Sequence, residues 1–117
     1  MARRFCLALD LKNDPHVIAE YDRYHRAVWP EILQSIRDAD VEDMEIYRIE
    51  NRLFMVLEVG DSFSFEKKSA ADLGSAIVQK WETLMSTFQQ PLPSAKPGEK
   101  WLLSARVFSL KDSLSTV

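Results

Sequence analysis

Five consecutive apolar residues constrain the fold of this chain most strongly, because they belong to a strand that has no polar face. They are Leu53, Phe54, Met55, Val56 and Leu57. A strand that is apolar on both sides is typical of a sheet covered on both faces. The helices of a 117-residue chain can cover one face. The sequence therefore predicts that something else covers the other.

The N-terminal half is marked by hydrophobic periods and turn residues. Residues 5–11 have apolar side chains at alternate positions, Phe5, Leu7, Leu9 and Leu11, and a period of two predicts a strand. Asp14-Pro15 predicts the start of a helix over 15–28. Pro30 predicts a break and a second short helix, because the residue before a proline avoids helical geometry. Residues 44–49 and 53–59 predict two strands joined by a tight turn at Glu50-Asn51.

The C-terminal half completes an α+β pattern. The pattern over residues 62–89 predicts a helix in two pieces joined at Asp72-Leu73-Gly74. Residues 89–100 are predicted to form a proline-rich loop, and residues 101–110 are predicted to form a last strand. The order β-α-β-β-α-β is typical of a ferredoxin-like α+β sandwich. Domains usually contain about 100–150 residues. We therefore predict a single domain over residues 1–110, followed by a C-terminal tail over residues 111–117.

Charge and cysteine content argue against several classes of protein. The 18 acidic and 15 basic residues give a net charge of −3 and are interleaved along the chain, which argues against a nucleic-acid partner. Cys6 is the single cysteine, so an intrachain disulfide is excluded. No apolar run approaches the roughly 18 residues of a membrane span, and the apolar stretch after the basic N-terminus is too short for a secretory signal. The sequence predicts a cytoplasmic protein with no membrane partner.

One face of the first predicted helix gathers side chains that can carry chemistry. At about 100° per residue, six residues fall within roughly 120° of one another: Val17, Ile18, Tyr21, Tyr24, His25 and Val28. Two interpretations of His25 stay open at this point. Polar-tipped residues on apolar faces are commonly core residues with a satisfied hydrogen bond. Imidazole also titrates near neutral pH, which suits a general acid or base.

The sequence pattern first indicates structural roles for three other residues, Trp81, Glu58 and Cys6. Trp81 shares an apolar helix face with Ile77, Leu84, Met85 and Phe88, which predicts a core position. Glu58 ends an apolar strand and is predicted to pair with Arg106, either across the sheet or across a dimer interface. Cys6 has no neighbouring signature of a nucleophile.

Metal and nucleotide sites are not expected. His16 and His25 are nine residues apart, which is not a ligating spacing on a helix, and the chain has no Cys/His cluster. It contains three glycines, too few and too scattered for a phosphate-binding loop.

The first helix and the residues after it resemble the L-rhamnose mutarotase family. That family carries Tyr-x-x-x-His followed by x-x-x-Trp-Pro-Glu, and these residues stand here as Tyr21, His25 and Trp29-Pro30-Glu31. The resemblance extends over nearly the whole chain, including the strand at 53–58 and the helix around Trp81.

The resemblance implies a fold, an activity and a site. The fold is a dimeric α+β barrel, a homodimer whose sheets pack face to face, which accounts for the strand with two apolar faces. The activity is the interconversion of the α and β anomers of a 6-deoxyhexose such as L-rhamnose or L-fucose, with no cofactor and no metal. His25 is implied as the proton donor, and Tyr21 and Trp81 as residues that hold the monosaccharide. Ring opening requires a proton delivered to the ring oxygen and one taken from the anomeric hydroxyl.

Two positions depart from the family's pattern where the sugar is contacted. Met44 stands where an aromatic residue is expected, and Glu82 replaces a second tryptophan after Trp81. L-fucose is therefore an alternative to L-rhamnose. Other functions stay open too, since small monooxygenases and haem-binding proteins use the same dimeric fold, and a non-catalytic sugar-binding module is a third alternative.

Overall fold

The computed structural model describes residues 3–115, which form an antiparallel sheet with helices packed on one face. The strands are β1 (Arg3–Leu11), β2 (Val41–Ile49), β3 (Arg52–Val59), β4 (Gln89–Gln90) and β5 (Leu102–Leu103), and the helices are α1 (Pro15–His25), α2 (Pro30–Asp38), α3 (Phe65–Leu73), α4 (Ala76–Ser86) and α5 (Leu110–Ser115). The strand order is β2-β3-β1-β4, and β5 also pairs with β1. This arrangement confirms the predicted ferredoxin-like α+β sandwich. In this part of the chain, no helix is long and apolar enough to cross a bilayer.

Local side-chain chemistry sets the ends of α1 and α2. The Asp14 carboxylate accepts a hydrogen bond of 2.8 Å from the backbone N–H of His16, and Pro15 occupies the first turn. Helix α1 ends at His25, three residues earlier than predicted. The reason is that Trp29, which precedes Pro30, adopts a non-helical backbone with φ −57° and ψ 135°. His25 therefore lies in the last turn of a helix.

The β2–β3 hairpin forms as the sequence predicts. Ile49 pairs with Arg52, which leaves Glu50 and Asn51 as the two turn residues, and Glu50 adopts a φ of 52°. Strand β2 is an edge of the sheet, and its register shifts at a bulge between Val41 and Asp43.

The inner face of the sheet carries the hydrophobic core. Its fully or nearly fully buried strand residues are Leu7, Leu9, Leu11, Val41, Leu53, Leu57 and Val59. Side chains from α1, α2 and α4 pack against them, among them Tyr21, Ile32 and Trp81. This packing brings side chains of α1 and α4 into contact over the sheet.

The outer face of the sheet mixes apolar and charged side chains. Phe54 and Val56 of β3 are half-buried there. Ion pairs lie beside them, one between Arg4 and Glu58 at 2.6 Å and one between Arg52 and Asp10 at 2.8 Å. The predicted pairing of Glu58 with Arg106 across the sheet is therefore wrong, because the β1–β3 register brings Arg4 opposite Glu58, while Arg106 pairs with Asp112.

The C-terminal region differs from the prediction. Of the strand predicted over 101–110, only Leu102–Leu103 pairs with β1, and residues 104–109 have no regular structure. Val107 is 95% exposed and Phe108 68% exposed, so the apolar pattern here is not used for pairing. The predicted tail at 111–117 overlaps α5, and its residues 116 and 117 lie outside the described residues.

Candidate active site

Helices α1 and α4 bring the three predicted site residues together. The rings of Tyr21 and His25 stack with centroids 4.2 Å apart and an interplanar angle of 29°, as a four-residue spacing on one helix predicts. Trp81 on α4 meets the His25 ring edge-on, with centroids 5.7 Å apart. The three side chains form one contiguous aromatic cluster.

The members of this cluster differ in how much surface they expose. Tyr21 is 3% exposed and Trp81 is 8% exposed, whereas His25 is half-buried. His25 is therefore the member of the cluster that is most open to a ligand, and both of its ring neighbours lie deeper in the fold.

A hydrogen bond fixes which nitrogen of His25 carries the proton. Its Nδ1 lies 2.8 Å from the backbone carbonyl oxygen of Tyr21. A carbonyl oxygen can only accept, so Nδ1 must donate. In the neutral ring Nε2 then carries the free lone pair. The arrangement orients His25 as a proton acceptor at Nε2.

Burial sets the protonation states of His25 and Tyr21. It lowers the pKa of His25 below the ordinary value of 6.5, against the opposing effects of the Tyr21 carbonyl and the Asp22 carboxylate. His25 is therefore neutral at pH 7. Burial also raises the pKa of Tyr21, partly offset by a hydrogen bond from the Gln89 side chain, while Asp22 raises it further. Tyr21 is thus a protonated phenol at neutral pH and not a base.

Further aromatic rings enclose the cluster. Trp29 packs edge-on against Trp81 with centroids 4.9 Å apart. Tyr24 lies 6.4 Å from Trp81 and 5.8 Å from Phe88, again between ring centroids. Trp81 therefore contacts three aromatic rings, those of Trp29, Tyr24 and His25.

Gln89 is a site residue that the sequence reasoning missed. The sequence places it where the predicted helix meets the predicted loop, but it forms β4 by pairing with Leu11, and it lowers the pKa of Tyr21 against the larger effect of burial. The available signal was its position directly after Phe88, the last residue of the apolar face that includes Trp81.

The two residues that depart from the family's pattern have different surroundings. Met44 lies opposite Leu57 in the β2–β3 ladder and packs with the second core cluster, which includes Leu57 and Phe63. Glu82 is half-buried on α4 and accepts a long hydrogen bond of 3.4 Å from Gln79. Neither position adds an aromatic ring to the cluster around His25.

Two cavities lie away from this cluster. One of about 690 Å³ is bounded by α2 and α3 and includes Lys68 and Asp72. The other, of about 270 Å³, lies on the outer face of the sheet beside Arg4 and Glu58. Neither is lined by His25. Within residues 3–115 there is also no group of three or more His, Cys, Asp or Glu side chains suited to a metal ion. The aromatic cluster, not the larger cavity, holds the imidazole that can move protons near neutral pH.

Comparisons with known proteins identify the family of this chain. The family model described as L-rhamnose mutarotase matches residues 4–110. An L-fucose mutarotase from Xanthomonas campestris pv. campestris is 42% identical over 115 residues, covering 97% of this chain and 92% of the relative. The crystal structure of an L-rhamnose mutarotase from Formosa agariphila is similar with a TM-score of 0.67 at 24% identity, covering 92% of this chain and 98% of that one. A tetracenomycin F2 cyclase from Streptomyces glaucescens, with a TM-score of 0.57 at 15% identity over 92% of this chain and 95% of its own, shares the fold alone.

Proposed function

The chain belongs to the L-rhamnose mutarotase family, and from that premise we propose that His25 moves the protons of a sugar ring-opening reaction. The enzyme is a mutarotase that interconverts the anomers of a 6-deoxyhexose. The reaction is an isomerisation that changes no oxidation state overall, so its chemistry requires no redox cofactor. The observation that carries the role of His25 is the bond from its Nδ1 to the Tyr21 carbonyl, because that bond leaves Nε2 free to accept a proton.

The proton balance of the reaction suits a single imidazole. Nε2 of His25 takes the proton of the anomeric hydroxyl as the bond between C1 and the ring oxygen breaks and C1 becomes a carbonyl. The imidazolium then protonates the ring oxygen, which gives the open-chain hydroxyaldehyde. Rotation about C1–C2 and the reverse steps on the other carbonyl face give the other anomer and restore neutral His25. The Nδ1 bond to Tyr21 persists through both transfers, so the ring keeps its orientation.

Tyr21 and Trp81 are proposed to hold the sugar beside His25. Aromatic rings suit the C–H face of a pyranose, and a protonated phenol can hydrogen-bond a sugar hydroxyl. Both residues contact the His25 ring directly, which supports a role for them in holding a ligand on that imidazole. Their small exposed fractions mean that such a ligand contacts their edges rather than whole ring faces.

L-fucose is the substrate that we propose to test first, and L-rhamnose the second. The relative named L-fucose mutarotase matches 97% of this chain at 42% identity. Met44 and Glu82 also stand where the family pattern has aromatic residues, which favours a sugar with a different arrangement of hydroxyl groups. The acid–base residue His25 is retained in either case.

We further propose a homodimer in which the outer sheet faces of two copies meet. Tyr47 and Ile49 on β2 are 56% and 63% exposed, and they continue the apolar surface formed by Phe54 and Val56. A chain of this size gains substantial buried area from such a partner.

The extent of the domain and its cellular compartment are also proposals. Residues 1–110, which include all three site residues, are proposed as the mutarotase domain, and residues 111–117 as a C-terminal tail. The lone cysteine, Cys6, which is free in the structure, supports a reducing, cytoplasmic compartment.

Anomer exchange measured by saturation-transfer NMR tests the function. L-fucose and L-rhamnose are each examined at neutral pH with the wild type, His25→Ala and His16→Ala. We expect His25→Ala to lower the enzymatic exchange rate by about 10²- to 10⁴-fold, the usual contribution of an acid–base group. His16 is exposed on the same helix, so His16→Ala is the matched control and should retain the wild-type rate. Unchanged exchange in His25→Ala refutes the role of His25, and no acceleration of either sugar by the wild type refutes the proposed substrates.

A further inference from the structure

An ion pair joins helix α1 to the β2–β3 hairpin, three residues before His25. The Nε of Arg48 donates to Oδ1 of Asp22 at 3.0 Å, and its Nη2 donates to Oδ2 at 2.6 Å. The third nitrogen, Nη1, donates to the backbone carbonyl oxygen of Glu50 in the hairpin turn at 2.8 Å. One planar guanidinium therefore engages both oxygens of the carboxylate, which is a strong and directional geometry for an ion pair.

Strand β2 directs the Arg48 side chain toward the helices. Side chains alternate between the two faces along a strand, and Met44 and Ile46 pack against the two core clusters on the inner face. Arg48 lies two residues beyond Ile46 and projects to the same face, where it reaches Asp22. The two side chains of the pair are 31% and 36% exposed, so water screens their charges only in part.

The Asp22 carboxylate is a helical neighbour of the imidazole. Residues three apart on a helix have Cβ atoms about 5–6 Å apart, and Asp22 precedes His25 by three residues. A carboxylate at that distance favours a charged imidazolium. Burial is the largest influence on the pKa of His25 and lowers it, whereas Asp22 raises it. An uncompensated charge on Asp22 therefore opposes the neutral imidazole with which the proposed reaction starts.

Other titratable groups around His25 are neutral or engaged elsewhere. Asp22 is the only acidic residue within four positions of His25 in the chain. Tyr21, whose ring stacks on the imidazole, is a neutral phenol, and Trp81, which meets the imidazole from α4, has no charge. The remaining charged neighbours are Arg23, bonded to Glu20, Arg26, exposed at the end of α1, Lys80, over the Trp29 ring, and Glu82, bonded to Gln79 within α4.

We propose that Arg48 is a positioning residue that acts on His25 through Asp22. Its guanidinium holds both oxygens of the carboxylate and offsets their charge, which keeps the neighbouring imidazole neutral and ready to accept a proton. Arg48 acts on neither the imidazole nor the sugar directly. This inference rests on the proposed function, in which neutral His25 takes the proton of the anomeric hydroxyl.

Substitutions on the two sides of the pair distinguish a charge effect from a packing effect. Arg48→Met leaves the carboxylate uncompensated, so the pKa of His25 should rise by about 0.5–1. Asp22→Asn leaves the cation uncompensated, so the pKa of His25 should fall, and the double variant should return close to the wild-type value. A pair that only braces α1 predicts otherwise, because loosening the helix exposes His25 to water and raises its pKa in both single variants.

NMR titration of the imidazole signals measures the pKa of His25 without any substrate. The chain has two histidines, so His16→Ala assigns the signals and the exposed His16 is the internal reference. Arg52→Met is the matched control, because Arg52 makes a similar two-contact ion pair with Asp10 on the outer face of the sheet. This variant should leave the pKa of His25 unchanged.

The pH dependence of anomer exchange is the second readout. The pH at which the rate begins to fall should move up in Arg48→Met and down in Asp22→Asn, in step with the pKa of His25. The rate well above that pH should stay within about twofold of the wild type. Arg48→Lys keeps the charge without the two-point contact, so its pKa for His25 should lie between those of the wild type and Arg48→Met.

The two readouts separate failure of this inference from failure of the proposed function. Normal exchange by the wild type, with the pKa of His25 unchanged in Arg48→Met or raised in Asp22→Asn, overturns the inference alone. Opposite pKa changes in the two single variants, with no exchange of either sugar by the wild type, refute the proposed function and support the control of His25 by the ion pair. Neither exchange nor opposite pKa changes overturns both.

Discussion

Replacing Trp81 separates its role in the core from its role in the site. Trp81 is 8% exposed and meets the rings of Trp29, Tyr24 and His25 edge-on at 4.9, 6.4 and 5.7 Å. Truncating a buried tryptophan to alanine costs about 3–5 kcal/mol. Edge-on aromatic pairs contribute about 0.5–1.5 kcal/mol each, so the three contacts account for much of that cost. Since a whole domain is stable by only about 5–15 kcal/mol, Trp81→Ala should lose at least about a fifth of its stability.

Trp81→Phe is the variant that reports on function. It keeps an aromatic ring in the same place, so its stability cost should be about 1–2 kcal/mol, as for a partial loss of core volume. We expect the KM for the sugar to rise while kcat is largely retained, because the proton transfers belong to His25.

Urea unfolding followed by far-UV circular dichroism measures both variants, since the substitution removes a fluorescent reporter. Trp29→Ala is the control, because Trp29 is half-buried and should cost less than Trp81→Ala. A free-energy loss under about 1 kcal/mol in Trp81→Ala would refute the reasoning, because Trp81 could then not be packed as described.

Four further outcomes are expected. The rate of anomer exchange should be independent of pH above neutral pH and should fall about tenfold per pH unit below the lowered pKa of His25. NMR exchange rates, corrected for the reaction in buffer alone, test this prediction. A rate that rises as the imidazolium forms contradicts it. The same group should reduce the free energy of unfolding as pH falls from 6.5 toward that lowered pKa, because the unfolded chain takes up the proton first. Gly60→Ala should lower the free energy of unfolding by about 1–3 kcal/mol, because a Cβ atom at this position overlaps the Asp40 carboxylate. Gly74→Ala is the control and should not show this cost, because the atoms nearest to a Cβ there are 3.6 Å away. Val56→Lys should shift light-scattering mass from dimer to monomer, and an unchanged mass would place the interface elsewhere.

The parts of the fold that depend on local chemistry could be predicted from the sequence. The alternation over residues 5–11 is strand β1, and Asp14-Pro15 does begin α1. The two-piece helix has its joint at Gly74, which caps α3. Each of these signals acts through backbone geometry or capping within a few residues, so no tertiary information was needed.

The parts that depend on distant partners could not be predicted. The apolar residues Val107 and Phe108 predict a strand by pattern, yet their side chains are exposed, because pairing needs a neighbour that the pattern does not specify. Strand register also depends on residues that are distant in the sequence. The β1–β3 register pairs Glu58 with Arg4 and not with Arg106. In the site, the helical spacing predicts the Tyr21–His25 stack, but only tertiary structure brings Gln89 near Tyr21.

The edge position of β2 has a consequence for how copies of this protein meet at high concentration. Unpaired backbone groups on an edge strand are a template for adding another strand and growing aggregates. Here the bulge between Val41 and Asp43 interrupts that template, and the acidic side chains of Glu42, Asp43 and Glu45 are exposed along the same strand. When the β2 edges of two copies approach, their acidic side chains repel each other, and the bulge prevents their backbone hydrogen-bonding groups from pairing in a regular ladder. Encounters along this edge are therefore repelled, and growth into open-ended β-aggregates is suppressed at its first step.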